Sequence, residues 1–217
     1  MISSSYLSVA DLPPKPDPET GEPRPPRAPA YSRGDETPKE HDKNRTTDPS
    51  KAPSPPEGQG PVLVWYKPSR LQKWGVGGTG FLMLTAGVTL AQGFDLRWMT
   101  FWWAWLIVLV FAALIGGSVR GTECSVGAEW LQRKGGGWVR LHELRKITGH
   151  HRSNALHLDF EDQDGRVVQL TASDLHHDRD MWDLVYNGIL HSVIAGGAET
   201  NGRLHSALDV PRPWPRA

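Results

Sequence analysis

Cysteine is almost missing from this chain: Cys124 stands alone among 217 residues, which excludes an internal disulfide and a cysteine-based metal site. Net charge is missing as well. The 24 Lys and Arg balance the 24 Asp and Glu, so no overall basic field argues for nucleic acid as a partner. The first residues, Met1 to Asp11, lack the basic start and apolar core of a secretory signal, which leaves the first hydrophobic helix as the expected insertion signal. Catalytic constellations are equally thin. Ser153, Ser173 and Ser192 have no nucleophile-elbow context, and Asp159, Glu161, Asp162 and Asp164 crowd a hairpin tip where carboxylates are ordinarily solvated. The twelve-residue ligand order of a calcium loop is not there. The histidines, His150-His151, His157, His176-His177 and His191, lack a cysteine partner, and neighbours in a strand point to opposite faces. No catalytic residue, metal or cofactor is expected. Gly75-Val-Gly-Gly-Thr-Gly80 matches a dinucleotide fingerprint but follows no strand, so it reads as helix packing.

What is present begins with proline. Fourteen of the 18 prolines fall between Pro13 and Pro61, among charges of both signs and few large apolar residues. That composition cannot bury enough surface to offset its ordering entropy, so residues 1–60 are expected to be a disordered Pro-rich tail. Pro13-Pro-Lys-Pro16 and Pro23-Arg-Pro-Pro-Arg-Ala-Pro29 contain the P-x-x-P spacing of extended ligands, which also arises by chance in such a tail.

Two uncharged runs follow, 74–94 and 98–118. The second would reach about 30 Å as a helix, the thickness of a bilayer's hydrocarbon. The first is diluted by glycine and threonine, as where membrane helices pack closely. The expectation is a membrane α-helical hairpin turning at Gln92 to Arg97. Lys67, Arg70 and Lys73, in the basic juxtamembrane segment 61–73, and Arg120, Arg133 and Lys134 place both termini in the cytoplasm of a multi-pass plasma-membrane protein. Trp98, Trp102, Trp103 and Trp105 suit an interfacial belt; Trp98, Trp102 and Trp105 also fit a recognition stripe at i, i+4 and i+7.

From Gly121 the pattern changes to short strands. They are expected at 123–133, 138–141, 144–148, 156–161 and 166–171, with turns at Gly135-Gly-Gly137 and Asp162-Gln-Asp-Gly165. Leu156, Leu158 and Phe160 alternate with His157, Asp159 and Glu161, a half-buried strand. Trp182, Val185, Ile189 and Val193 recur at helical spacing until Gly196-Gly197 stops the helix, and 198–217 is left as a tail. Residues 121–197 thus read as a small α+β unit whose helix covers a sheet.

These features together, with Cys124 to Lys134, the W-V-x-L-x-E-L-x-x-I segment from Trp138 to Ile147, the D-G hairpin and the final helix, resemble bacterial two-helix membrane proteins with a C-terminal pleckstrin-homology-like (PH-like) domain. The resemblance implies an antiparallel sheet of about seven strands capped by the helix, used as a binding platform that names no ligand. The expected function is non-catalytic: a scaffold or adaptor binding a protein partner or an anionic lipid surface. Candidate contact residues are Lys67, Arg70 and Lys73 beside the membrane and Arg140, Arg145 and Lys146 on the domain. Membrane lipids and a membrane-protein partner are the expected partners. An accessory subunit of a larger transporter or envelope enzyme is the alternative, and an enzyme with an unrecognised site the third.

Overall fold

The computed structural model describes residues 6–29, 52–67, 70–91, 93, 97–118, 123–152, 155–176 and 178–213. They form two units. One comprises Met1–Tyr66 and Thr122–Ala217, the other Lys67–Gly121.

The smaller unit is a pair of helices, α1 (Arg70–Ala91) and α2 (Trp102–Ser118), with a 3-10 turn, Arg97–Thr100, before α2. Ala104 and Val108 of α2 pack on Phe81, Leu84 and Val88 of α1, and Trp105 stacks on Phe81 at 6.1 Å. Thr85 and Thr89 return their hydroxyls to the carbonyls of Phe81 and Thr85, which satisfies both polar groups within the helix. The expected membrane hairpin is corrected here, because no helix among the described residues is long and apolar enough to cross a membrane. The multi-pass plasma-membrane location with both termini in the cytoplasm loses its basis with it. Two departures from the expected limits are responsible. The second helix starts at Trp102 rather than 98, leaving 17 residues, about 25 Å against a hydrocarbon thickness of about 30 Å. The first starts at Arg70, takes in Lys73, and carries five glycines and three threonines. The tryptophan stripe also fails: Trp102 is 75% exposed while Trp105 is packed on Phe81, and the side chain of Trp98 lies outside the described residues. So do Gln92, most of the expected turn and Arg120.

The larger unit is built on two four-stranded sheets. The first, in the order β2-β3-β4-β5, contains Val64–Tyr66, Cys124–Val126, Trp130–Arg133 and Gly137–Arg140, all antiparallel. The second has the order β8-β7-β6-β9: Val167–Thr171, Ala155–Asp162, Leu144–Arg152 and Glu199–Thr200, with β9 parallel to β6. A parallel pair, β1 (Tyr6–Leu7) with β10 (Arg212–Pro213), joins the two ends of the chain. One antiparallel sheet capped by the last helix is therefore not what forms. The sheet begins before the helical pair, in the segment read as a juxtamembrane flank, and a mixed second sheet accompanies it.

Alternation decides the strand faces. In β7, Leu156, Leu158, Phe160 and Asp162 are buried and their neighbours are half-exposed. Asp162 was expected in water, yet it is fully buried. Its Oδ1 accepts the amides of Asp164 and Arg166, and its Oδ2 accepts the Arg140 amide and Arg166 Nε at 2.7 Å. It organises the β7–β8 turn, where Gly165 has φ +78°, a value glycine adopts without a Cβ clash.

Three helices complete the unit. The short α3 (Ala172–Leu175) has a reciprocal cap in which Thr171 Oγ1 accepts the Asp174 amide and Asp174 accepts the Thr171 amide. The main helix, α4 (Arg179–Ile194), is started by Asp178, whose carboxylate accepts the amides of Asp180 and Met181. Trp182, Val185, Ile189 and Val193 enter one core with Leu131, Ile147, Leu158 and Phe160. Gly188 lets α4 approach Leu141 closely; an added Cβ would lie 2.6 Å from Leu141 Cβ. The last helix, α5 (Gly202–Leu208), buries Leu204 and Leu208 and is capped by Asn201, so the expected C-terminal tail is part of the core up to Val210.

The Pro-rich tail is corrected in part. Residues 6–29 and 52–60 belong to the larger unit: Pro16, Ala28 and Pro56 are buried, and Trp130 Nε1 donates to Gly60 O at 3.0 Å. The stretch 30–51 lies outside the described residues.

Candidate functional site

An amphipathic helix on a sheet should keep its polar stripe in water. In α4 that stripe, Asp180, Asp183, Asn187 and His191, is covered. Asp183 is 5% exposed, Asn187 2% and His191 8%. The cover is the segment from Pro13 to Pro29, an extended strap with two arms on the helix.

The strap is held chiefly by its backbone. His191 Nε2 lies 2.7 Å from Pro13 O, and Asn187 Nδ2 donates to Pro14 O at 3.4 Å. The chain then turns at Asp17, whose carboxylate accepts the amides of Glu19 and Thr20, and whose main chain pairs with Gly21 and Glu22. Those turn amides, the Thr20 one first, hold the Asp17 carboxyl below its ordinary value. On the return arm the Ala28 amide donates to Asp183 Oδ1 at 2.9 Å, Arg179 Nη2 donates to Ala28 O, and Trp182 Nε1 donates to Pro29 O at 2.8 Å.

Two arginines add charge-specific contacts. Arg27 Nη1 bridges Asp183 Oδ2 at 2.9 Å and Asp180 Oδ1 at 3.1 Å; Arg24 Nη1 reaches Asp180 Oδ2 at 3.1 Å. Both pairs are three residues apart in sequence, but three extended residues span about 9 Å and one helical turn about 5 Å, so Arg27 bridges both carboxylates while Arg24 reaches Asp180 alone. Two cavities remain. One of about 380 Å³ lies between Arg24, Pro25, Pro26, Leu63, Asp180 and Leu184. A smaller one of about 160 Å³ is lined by Pro13, Pro26, Ala28, Tyr186, Asn187 and Leu190. Asn187 Oδ1 is buried and accepts no hydrogen bond from a protein group among the described residues.

Beneath the first arm, His142 meets His191 edge to face at 5.3 Å, and both its ring nitrogens are buried without a partner. Burial, with Lys15 and His191 near, pushes the His142 imidazole down to about 3; burial lowers His191 as well. Burial raises the Tyr186 phenol, whose hydroxyl donates to Asp209 O at 3.0 Å.

The residues expected to carry function are placed differently. Arg140 pairs with Glu143 at 2.9 Å and stands 3.8 Å from Asp164; Arg145 pairs with Glu161; Lys146 lies 3.3 Å from Glu199. Each cation thus faces a carboxylate, and no net positive face results from these three. Lys67 is exposed, while the side chains of Arg70 and Lys73 lie outside the described residues. Ser192 is buried, donating to Leu141 O and accepting from the Leu144 amide. Cys124 packs against Met181 with its thiol pushed up to about 12 by burial. His150 and His157 stack across strands at 5.6 Å, His177 is outside the described residues, and among the described residues no three His, Cys, Asp or Glu could hold a metal.

The sequence reading passed over the α4 polar stripe and His142. No local signal links the stripe to the strap: P-R-P-P-R in the tail and Asp180 with Asp183 are more than 150 residues apart. No protein-family model matches the chain, and neither the curated proteins nor the solved structures supply a match.

Proposed function

We propose that the larger unit is a non-catalytic recognition module that binds a protein partner, with the polar face of α4 as its working surface. The observation that carries this reading is the strap. Five side chains of one helix, Arg179, Trp182, Asp183, Asn187 and His191, engage the backbone of an extended segment, and two cavities lie along its path. Backbone contacts supplying affinity and side pockets supplying selectivity are how extended peptides are recognised. The pairing of Arg140, Arg145 and Lys146 with carboxylates makes a protein partner the better reading than an anionic surface.

The test is a selection of random displayed peptides on the full chain carrying Arg24→Ala and Arg27→Ala, which removes the ion pairs of the strap. Peptides should be enriched, and Trp182→Phe with Asp183→Asn in the same chain should abolish their binding. A selection that yields nothing above background, or peptides indifferent to those substitutions, contradicts the reading.

A further inference from the structure

The geometry points to a definite partner class for the α4 face: an extended, proline-rich segment of another protein bearing two arginines three residues apart, which displaces the chain's own residues 13–29. The inference rests on the recognition-module reading above and adds the chemistry of the ligand.

Three observations define that chemistry. Asp180 and Asp183 are one helical turn apart and each takes a guanidinium, Arg27 touching both and Arg24 touching Asp180. Planar forked donors suit such a carboxylate pair better than an ammonium does. Next, the carbonyls of Pro13, Pro14, Ala28 and Pro29 are acceptors that α4 engages, against one strap amide, that of Ala28, among the contacts of the described residues. A site that reads carbonyls and asks for few amides accepts proline, whose preset φ lowers the ordering cost of an extended ligand. With the strap displaced, the apolar walls that stay behind are Leu63, Leu184, Tyr186 and Leu190, which suits apolar rings.

Displacement is favoured by an imperfection in the resident strap. Asn187 donates to Pro14 O, its Oδ1 meets no protein donor among the described residues, and Pro14 has no N–H to return. An incoming segment with an ordinary residue there can satisfy both halves of the amide. The strap arginines are also 69% and 60% exposed, so their ion pairs are within reach of solvent and competitors. Tethering raises the local concentration of the resident strap, so it acts as a competitor that sets the threshold for the partner.

The experiment uses a fluorescent synthetic peptide with the sequence of residues 13–29, titrated by anisotropy. The full chain with Arg24→Ala and Arg27→Ala should bind it saturably, and the unaltered chain about tenfold more weakly because its own strap competes. Adding Asp180→Asn and Asp183→Asn to that chain should weaken binding by about tenfold or more, as should alanine at both peptide arginines; should the alanine variants fail to fold, Arg24→Gln and Arg27→Gln take their place. Raising salt should weaken it further. Binding no better than that of a scrambled peptide, or unchanged by either pair of substitutions, overturns the inference. Should the random selection still enrich peptides of another composition on this face, only the ligand class falls; should it enrich none, the module reading falls with it.

Discussion

Asp183→Ala is the perturbation with the most to say about α4. Its carboxylate is nearly buried, takes two donors, the Ala28 amide at 2.9 Å and Arg27 Nη1 at 2.9 Å, and pairs with Arg179 Nε at 3.4 Å. Removing it orphans a buried amide, at about 1–3 kcal/mol. Arg27, 60% exposed, regains water, so its pair contributes about 0–1 kcal/mol. Arg179 keeps its bond to Ala28 O and loses about 1 kcal/mol. The sum is about 2–5 kcal/mol, and it cannot exceed the free energy of docking the strap, because undocking relieves all three groups. Two assays separate these outcomes. Urea unfolding followed by tryptophan fluorescence reads the global loss. Tryptic cleavage at Arg27–Ala28, the bond whose flanking groups Asp183 holds, reads undocking; a loss of about 2 kcal/mol corresponds to cleavage about 30-fold faster. An unchanged cleavage rate together with an unchanged unfolding midpoint would refute the assignment of Asp183 as the strap's anchor.

Three further outcomes are expected. Gly188→Ala places a Cβ 2.6 Å from Leu141 Cβ and 2.9 Å from Leu141 O, so unfolding by urea should show about 1–3 kcal/mol lost to overpacking. Asp162→Ala leaves the amides of Arg140, Asp164 and Arg166 and the Arg166 guanidinium without their acceptor, and thermal melts should show about 3 kcal/mol or more lost. Acid should weaken the larger unit before its carboxylates titrate. His142 is held near 3 when folded and takes a proton at its ordinary 6.5 when unfolded. The unfolded state therefore binds more protons in that window, and stability is full above about 6.5 and falls by up to about 1.4 kcal/mol per pH unit below it. Denaturation at pH 7 and pH 5 should show that slope, and His142→Phe should reduce it, leaving the share of His191, which burial also lowers.

Local pattern carried much of the larger unit. Leu156, Leu158 and Phe160 announced β7 by alternation, and Trp182, Val185, Ile189 and Val193 announced α4 by helical spacing; both elements enclose those residues. The α5 helix had a signal too, Asn201 followed by Leu204 and Leu208, in a stretch too short for periodicity to stand out. What composition missed is non-local. A segment rich in proline and charge has little apolar surface of its own, so nothing in residues 13–29 reveals that a helix more than 150 residues away offers them carboxylates and a tryptophan N–H. The same holds for β2, whose partner β3 lies beyond both α1 and α2. Asp162 shows the converse error: a carboxylate at a hairpin tip reads as solvated until four donors are found converging on it. The hydrophobic runs misled for a different reason. Apolarity over 98–118 is real, but helix geometry begins only at Trp102, and length decides whether a helix can span.

Whether α4 binds an extended segment is tested most directly by hydrogen exchange at the Ala28 amide in the full chain. That amide is a strap backbone group that donates to α4, 2.9 Å from Asp183 Oδ1. The account predicts exchange slower by about 100-fold or more than in a free peptide of residues 13–29, with the protection lost in Asp183→Ala. Exchange at the free-peptide rate in the unaltered chain would contradict it.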